Sequence, residues 1–270
     1  MGTLAPARTL LFGSLPTVHH QLLAHGLAVE SLHRHGAEEV GIVNNHTLVL
    51  SATDSEQDAA AAAVYDLLHN RIFADPILTG AYPDLEGFGI PPMPIKDGDL
   101  DLIACPGDFY GVNFYNPTTV AAAPAESSLP FEIVPTPGAP VTGFGPEWPI
   151  VPSGLTELLT DFRHRYGDRL PPLVIGENGA SFPEPDHVDG QIDDADRISY
   201  LAGHIDAVGA ALQAGVDVRE YTVWSLLDNF EWADGYTQRF GLVHVDFDSA
   251  VRTPKESFSW YRSLISEARR

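Results

Sequence analysis

The sequence predicts an α/β fold built on a parallel sheet. Three observations lead there. Short apolar runs alternate with longer amphipathic stretches of helical period along most of the chain. The runs lack a clean period of two, which is the pattern of strands buried on both faces. Each run also ends in amides, carboxylates or aromatics, and the C-terminal strand ends are where a parallel α/β fold gathers functional groups.

The elements follow in order. The stretch SLPTVHHQLLAHGLAVESLHRHG reads as an amphipathic helix ending at Gly36. EEVGIVNN reads as a short buried strand through Val40 to Val43. DSEQDAAAAAVYDLLHNRIF is an Ala-rich helix capped by Ser55 or Asp54. FYGVNFYN is a strand, GLTELLTDFRHRYG a helix and PLVIGENG a strand. DDADRISYLAGHIDAVGAALQAG is a helix with an acidic start and a Gly stop. REYTVWSLLDN is a strand, and PKESFSWYRSLISEARR closes the chain as a helix. Segments 81–108 and 117–150 are rich in Gly and Pro and read as long loops. This makes four βα units behind one leading helix. Four strands suit an open doubly wound sheet, whereas a (β/α)8 barrel needs eight. No repeat or linker divides the 270 residues, so a single domain over residues 1–270 is expected.

Composition narrows the partners. A formal net charge of -22 disfavours nucleic acid and anionic membrane surfaces. No segment approaches the roughly 20 apolar residues of a membrane helix. One cysteine, Cys105, allows no internal disulfide, and a cytoplasmic setting is expected. His19, His20, His25, His33 and His35 do not share one helix face at i, i+4 spacing, so no metal site is expected among them. Neither a Walker loop nor a G-x-G-x-x-G turn appears, and no cofactor is expected.

The strand ends carry the chemistry. They hold Asn44 and Asn45, then Asn113 and Tyr115, then Glu177 and Asn178. The last runs through Trp224 to Asp228, Asn229, Glu231 and Trp232. A strand-end Asn often caps a helix, and a strand Trp is often core. Four such ends together point instead to a sugar, whose vicinal hydroxyls pair with amides and carboxylates and whose apolar face stacks on aromatics.

These residues resemble a known family, the family 1 glycoside hydrolases or β-glucosidase family. VIGENG is similar to its nucleophile motif, with Gly176 where the family usually has Thr. YTVWSLLDNFEWADGYTQRFGLVHVDF resembles its C-terminal signature. GDFYGVNFYNP, WPIVPSGL, HHQLLAHGLAV and NRIFADPILTGAYP match further family stretches, so the resemblance covers essentially the whole chain. It implies a retaining (β/α)8 TIM barrel acting on a small-molecule β-glycoside or oligosaccharide. It implies Glu177 as nucleophile, held by the Tyr115 hydroxyl and flanked by Asn113. It implies Trp224 as the platform under the sugar, with Glu231 and Trp232 on its hydroxyls. Phe240 would line the subsite wall and Trp148 the leaving-group side. Asn44 or Asn45 is a weaker match to an amide behind the second carboxylate.

That second carboxylate is missing from the sequence. Retaining hydrolysis uses two carboxyl groups about 5–5.5 Å apart. The family carries its acid/base in a Thr-x-Asn-Glu-Pro motif ending strand four, and no Asn-Glu-Pro occurs here. The one Glu-Pro, Glu184-Pro185, follows the nucleophile motif. The first clear match, from LAPARTLL onward, belongs after the acid/base strand. The chain is therefore expected to be an N-terminally incomplete barrel, truncated to about strands five to eight. Turnover by the fragment alone is doubtful. The alternative is an inactive sugar-binding or interaction fragment. Exposed strand edges are expected to seek the missing N-terminal half or a second copy.

Overall fold

Four of the apolar runs pair as one parallel sheet. The computed structural model describes residues 8–105, 107–183 and 192–269. Residues 4–7 of LAPARTLL and the Glu184-Pro185 dipeptide lie outside them. In chain order the helix α1 (Leu15–Arg34) precedes β1 (Gly41–Asn45) and β2 (Val49–Ser51). Then come α2 (Glu56–Asp66), a π turn (Leu67–Arg71), α3 (Ile72–Thr79), α4 (Asp99–Ile103), β3 (Phe109–Asn113) and β4 (Thr118–Ala122). They are followed by β5 (Phe131–Val134), β6 (Val141–Thr142), β7 (Gly145–Pro149), α5 (Ser153–Tyr166) and β8 (Leu173–Asn178). The chain ends with α6 (Ala195–Gln213), β9 (Val218–Val223), β10 (Val243–Val245), β11 (Arg252–Pro254) and α7 (Glu256–Ala268).

The main sheet has the order β1-β3-β8-β9, all neighbours parallel, with β1 and β9 as its edges. These are the four strands the sequence predicts, and the helices between them fall where the periodicity puts them. The Ser55 hydroxyl caps α2 by accepting from the Asp58 amide at 3.1 Å. That helix does not stop at Phe73. It passes through the π turn and ends at Thr79, where Gly80 takes a left-handed φ of 75°.

The two segments read as loops are more ordered than expected. Segment 81–108 contains α4. Segment 117–150 contains β4 and β5, which join β2 in a second sheet, and the β6–β7 hairpin. These strands stand beyond the C-terminal ends of β1 and β3. They form a wall on the rim where the polar strand ends lie.

Among the described residues the main sheet packs on helices on one face, not on both as its apolar runs predict. Tyr110, Val112 and Phe114 alternate down the centre, each no more than 1% exposed, against Leu155, Leu159 and Phe162 of α5. The opposite face is lined with small or solvent-facing groups. Gly111 and Gly176 lie under Val43, which is 44% exposed. Glu220 and Thr222 of β9 are exposed as well.

Of the buried histidines, His46 and His204 carry the largest pKa shifts. His46 meets Asn70 at 3.1 Å and the Tyr110 hydroxyl at 2.8 Å. His204 lies against Tyr200, with ring centroids 4.0 Å apart. Burial pushes His46 down to about 3 and His204 down to about 4. Both are neutral in the folded chain and titrate near 6.5 when unfolded. Their contribution is therefore complete above pH 6.5 and declines as pH falls toward about 4. Each then costs about 1.4 kcal/mol per pH unit. Urea unfolding at pH 7 and pH 5 should show the loss, and His204→Phe should reduce the slope by about one proton. An unchanged slope would contradict the burial of a neutral ring.

Two histidines of α1 make ordinary pairings, whereas His25 is buried with its Nε2 unpartnered among the described residues. His19 bridges the Tyr82 hydroxyl and Asp99, each at 2.9 Å, and His33 meets Asp108 at 2.8 Å. Among the described residues no helix is long and apolar enough to cross a membrane.

Candidate active site

The strand register brings three polar side chains level. Asn45 of β1 pairs with Asn113 of β3, and Asn113 pairs with Glu177 of β8. A bulge at Ile175–Glu177 opposite Val112–Asn113 shifts the glutamate's phase, so it shares the open face of the sheet with Asn113. There the Tyr115 hydroxyl donates to Glu177 Oε2. Burial, and then the Glu177 carboxylate, push the Tyr115 phenol far above its ordinary value. It is protonated, and a donor, at any pH near neutral.

Two glycines admit this arrangement by leaving room. A Cβ at Gly176 would stand 2.8 Å from Asn113 Oδ1 and 2.7 Å from Val43 Cγ1. In this chain the residue that departs from the Thr of the family motif lies directly under Asn113. A Cβ at Gly179 would come within 1.8 Å of the Trp224 carbonyl. That glycine serves close packing of β8 on β9, not the conformational freedom of a turn.

The β9 end supplies the facing wall. Trp224 follows the strand directly, and its amide donates to the Asn178 carbonyl at 3.0 Å. The Trp224 side chain lies close enough to the Glu231 carboxylate to favour its ionised form. Burial raises the Glu231 carboxyl above its ordinary value, opposed by the Trp224 side chain and reinforced by the charges of Asp234 and Glu177. Glu231 and Glu177 therefore feel each other across one cleft. Its aromatic side is a cluster. Phe240 is buried, 6.3 Å from both the Tyr115 and Trp148 rings. Trp148 stands edge-on to Tyr115 at 5.4 Å and stacks on Phe144 at 4.4 Å. A cavity of about 170 Å³ adjoins this cluster, lined by Asn45, Tyr115, Asn116, Glu147 and Trp148.

Two expected residues are elsewhere. The Asn44 amide turns into the helical layer and donates to the Tyr110 hydroxyl at 3.0 Å. Strand alternation gives the cleft to Asn45 instead. Trp232 begins a 3-10 turn with φ 40° and is 73% exposed, outside the aromatic cluster. The turn carries its ring away from the sheet into solvent.

Several residues that hold the site were not foreseen. Phe144 is one; it lies in segment 117–150, and only the β6–β7 hairpin places it beside Trp148. Arg197 of α6 is 1% exposed. It donates to Asp194 at 2.9 Å, to the Phe240 carbonyl at 3.1 Å, to the Arg239 carbonyl at 2.9 Å and to the Ala180 carbonyl. Asp228, which the sequence offers only as one more strand-end carboxylate, is buried, with Lys255 Nζ at 3.1 Å and the Gly241 amide at 2.8 Å. Both polar clamps fix the strap between Trp224 and Val245.

Comparison with known proteins identifies the family. Residues 1–269 match the family described as Glycosyl hydrolase family 1. A bifunctional β-D-glucosidase/β-D-fucosidase of Bifidobacterium breve is 40% identical over 92% of this chain and 56% of its own length. A β-glucosidase of Agrobacterium is 37% identical, over 98% of this chain and 58% of its own. Among solved structures, a β-glucosidase of Exiguobacterium antarcticum superposes with a TM-score of 0.91 at 38% identity, covering 98% of this chain and 60% of that one. A β-glucosidase of Thermotoga maritima, solved in complex with glucoimidazole, gives a TM-score of 0.89 at 35% identity. The chain belongs to glycosyl hydrolase family 1, whose β-glucosidases are (β/α)8 barrels. It spans about three fifths of the length of the relatives it matches.

Proposed function

We propose that this chain carries the nucleophile half of a retaining β-glycosidase site for neutral terminal β-linked sugars. The observation that carries the reading is the Tyr115 hydroxyl on the Glu177 carboxylate, with Trp224 and Glu231 beside it. Glu177 attacks the anomeric carbon. Its new C–O bond forms as the bond to the leaving oxygen breaks, giving a covalent glycosyl ester. Tyr115 holds the attacking carboxylate and Asn113 flanks it. Trp224 is the platform under the sugar, and Glu231 takes its hydroxyls. Phe240 lines the subsite wall and Trp148 the leaving-group side. The single domain of residues 1–270 corresponds to strands five to eight of the barrel. The general acid/base is a carboxylate outside this sequence. β-Glucosides are the substrate class that the relatives' names favour, and the charge of -22 suits a neutral sugar.

An activated substrate tests this without the second carboxylate. In 2,4-dinitrophenyl 2-deoxy-2-fluoro-β-glucoside the leaving phenolate departs with its electron pair and needs no proton. Intact-mass analysis should show one sugar added per chain, and peptide mapping should put it on Glu177. Label on another residue, or none, would overturn the reading.

The natural partner of the sheet is the rest of the barrel. Strands β1 and β9 are its edges, and Val43 lies open on its inner face. The isolated chain should therefore sediment as species larger than a monomer, more so at higher concentration. A monomer with a sharp cooperative melt would contradict this.

A further inference from the structure

We propose that Tyr200 is a positioning residue for the Tyr115–Glu177 pair, acting from α6 through the Asn178 amide and the Tyr115 backbone. The proposal rests on the reading of Glu177 given above and adds a residue that touches neither substrate nor carboxylate. It begins with a gap in the sheet. The regular pairing of β3 with β8 is broken by the bulge opposite Asn113, and β3 ends there. Tyr115 lies two residues past that end. One backbone bond crosses at this level, from the Phe114 amide to the Glu177 carbonyl at 2.9 Å.

Buried side chains take over where the ladder stops. The Tyr200 hydroxyl donates to the Tyr115 carbonyl at 2.7 Å and accepts from Asn178 Nδ2 at 3.2 Å. The same Nδ2 donates to the Phe114 carbonyl at 2.7 Å. The Tyr221 hydroxyl donates to Asn178 Oδ1 at 2.5 Å. Asn178 is wholly buried, so its amide is satisfied by these groups and not by bulk water. Tyr200 is 2% exposed, and its ring is braced by His204 at 4.0 Å, whose Nδ1 meets the Tyr200 carbonyl at 2.8 Å. A phenylalanine would fill the same space without the hydroxyl's desolvation cost. The hydroxyl's geometric effect is to fix the Tyr115 main chain relative to the residue after Glu177. A phenol set by this lattice meets the carboxylate in one orientation, and small misplacements of such groups are costly.

The test is spectroscopic. Tyrosine is labelled at Cζ with carbon-13, and the Tyr115 resonance is assigned with Tyr115→Phe. Glu177→Ala defines its position without the carboxylate. Tyr200→Phe should move the Tyr115 resonance toward that position and slow labelling by the fluorinated glycoside about tenfold. Tyr221→Phe should move it the same way by less, and supplies the test if Tyr200→Phe does not fold. Tyr166→Phe removes another buried hydroxyl, one that donates to Asp75 at 2.8 Å across the core, and should move neither readout. If the Tyr115 resonance and the labelling rate are unchanged in Tyr200→Phe and Tyr221→Phe, the positioning role is overturned. An equal effect of Tyr166→Phe would also overturn it, as general loosening. If Glu177→Ala leaves Tyr115 unmoved, the Tyr115–Glu177 contact itself is wrong and the reading of the site falls with it.

Discussion

Replacing Asp228 with alanine should destabilise the chain by about 3–5 kcal/mol, the usual cost of removing one partner from a buried ion pair. The carboxylate is wholly buried and ties its strap to β10 and to the start of α7. It faces Lys255 Nζ at 3.1 Å at the start of α7, and it accepts from the Gly241 amide at 2.8 Å and the Val245 amide at 3.3 Å. Arg239 approaches it at 3.5 Å and His244 at 3.6 Å. Alanine removes the anion that the buried Lys255 ammonium faces and strips two main-chain amides of an acceptor. Asp228→Asn keeps an oxygen for the amides but not the charge, and should fall between alanine and wild type. Denaturant unfolding measures both. The loss should be local in origin, because Asp228 ties down the strap from Trp224 to Val245 that carries Glu231 and Phe240. A change below about 0.5 kcal/mol, the range of ordinary surface substitutions, would mean the cluster contributes little.

The same aspartate shows where sequence reading stops. Asp228 is visible as a polar residue after a strand, but its partner Lys255 is 27 positions away, on the far side of β10 and β11. Periodicity says nothing about such pairs. It does identify the main strands, because runs such as LVIG and YGV are apolar and short, although in this chain the sheet is covered on one face. It also finds the helices, because α5 keeps Leu155, Leu158, Leu159 and Phe162 on one stripe. It fails in segment 117–150, where Pro and Gly interrupt short strands and the burial that orders β4 comes from Ser55-capped α2 packing over it. Asn44 and Asn45 were indistinguishable for a related reason. A strand without alternating polarity does not declare its phase, and only the pairing of Asn45 with Asn113 sets it. Trp232 is expected on the sugar only because Glu231 and Trp232 together match the family's C-terminal signature. The turn between them sends the two side chains in different directions.

Glu177→Gln should abolish covalent labelling while leaving the binding surface in place. The two properties separate because the carboxamide keeps an oxygen for the Tyr115 hydroxyl but cannot form a stable ester with the anomeric carbon. In a barrel completed with its acid/base half, turnover should fall by about 10⁴-fold or more, the scale seen when a nucleophile that acts as part of a unit is removed. Sugar binding, read as quenching of Trp224 fluorescence, should change far less, because the ring platform and Glu231 are untouched. This pairing of readouts matters more than the loss alone. Loss of labelling together with loss of binding would make Glu177 a residue that shapes the cleft. Labelling that persists would move the nucleophile elsewhere, and Glu231, the other carboxylate that faces Glu177, would be the first residue to test. Loss of labelling with binding retained would leave Glu177 as the atom that attacks. A carboxylate outside this sequence would then be expected to supply the proton that an ordinary leaving group needs.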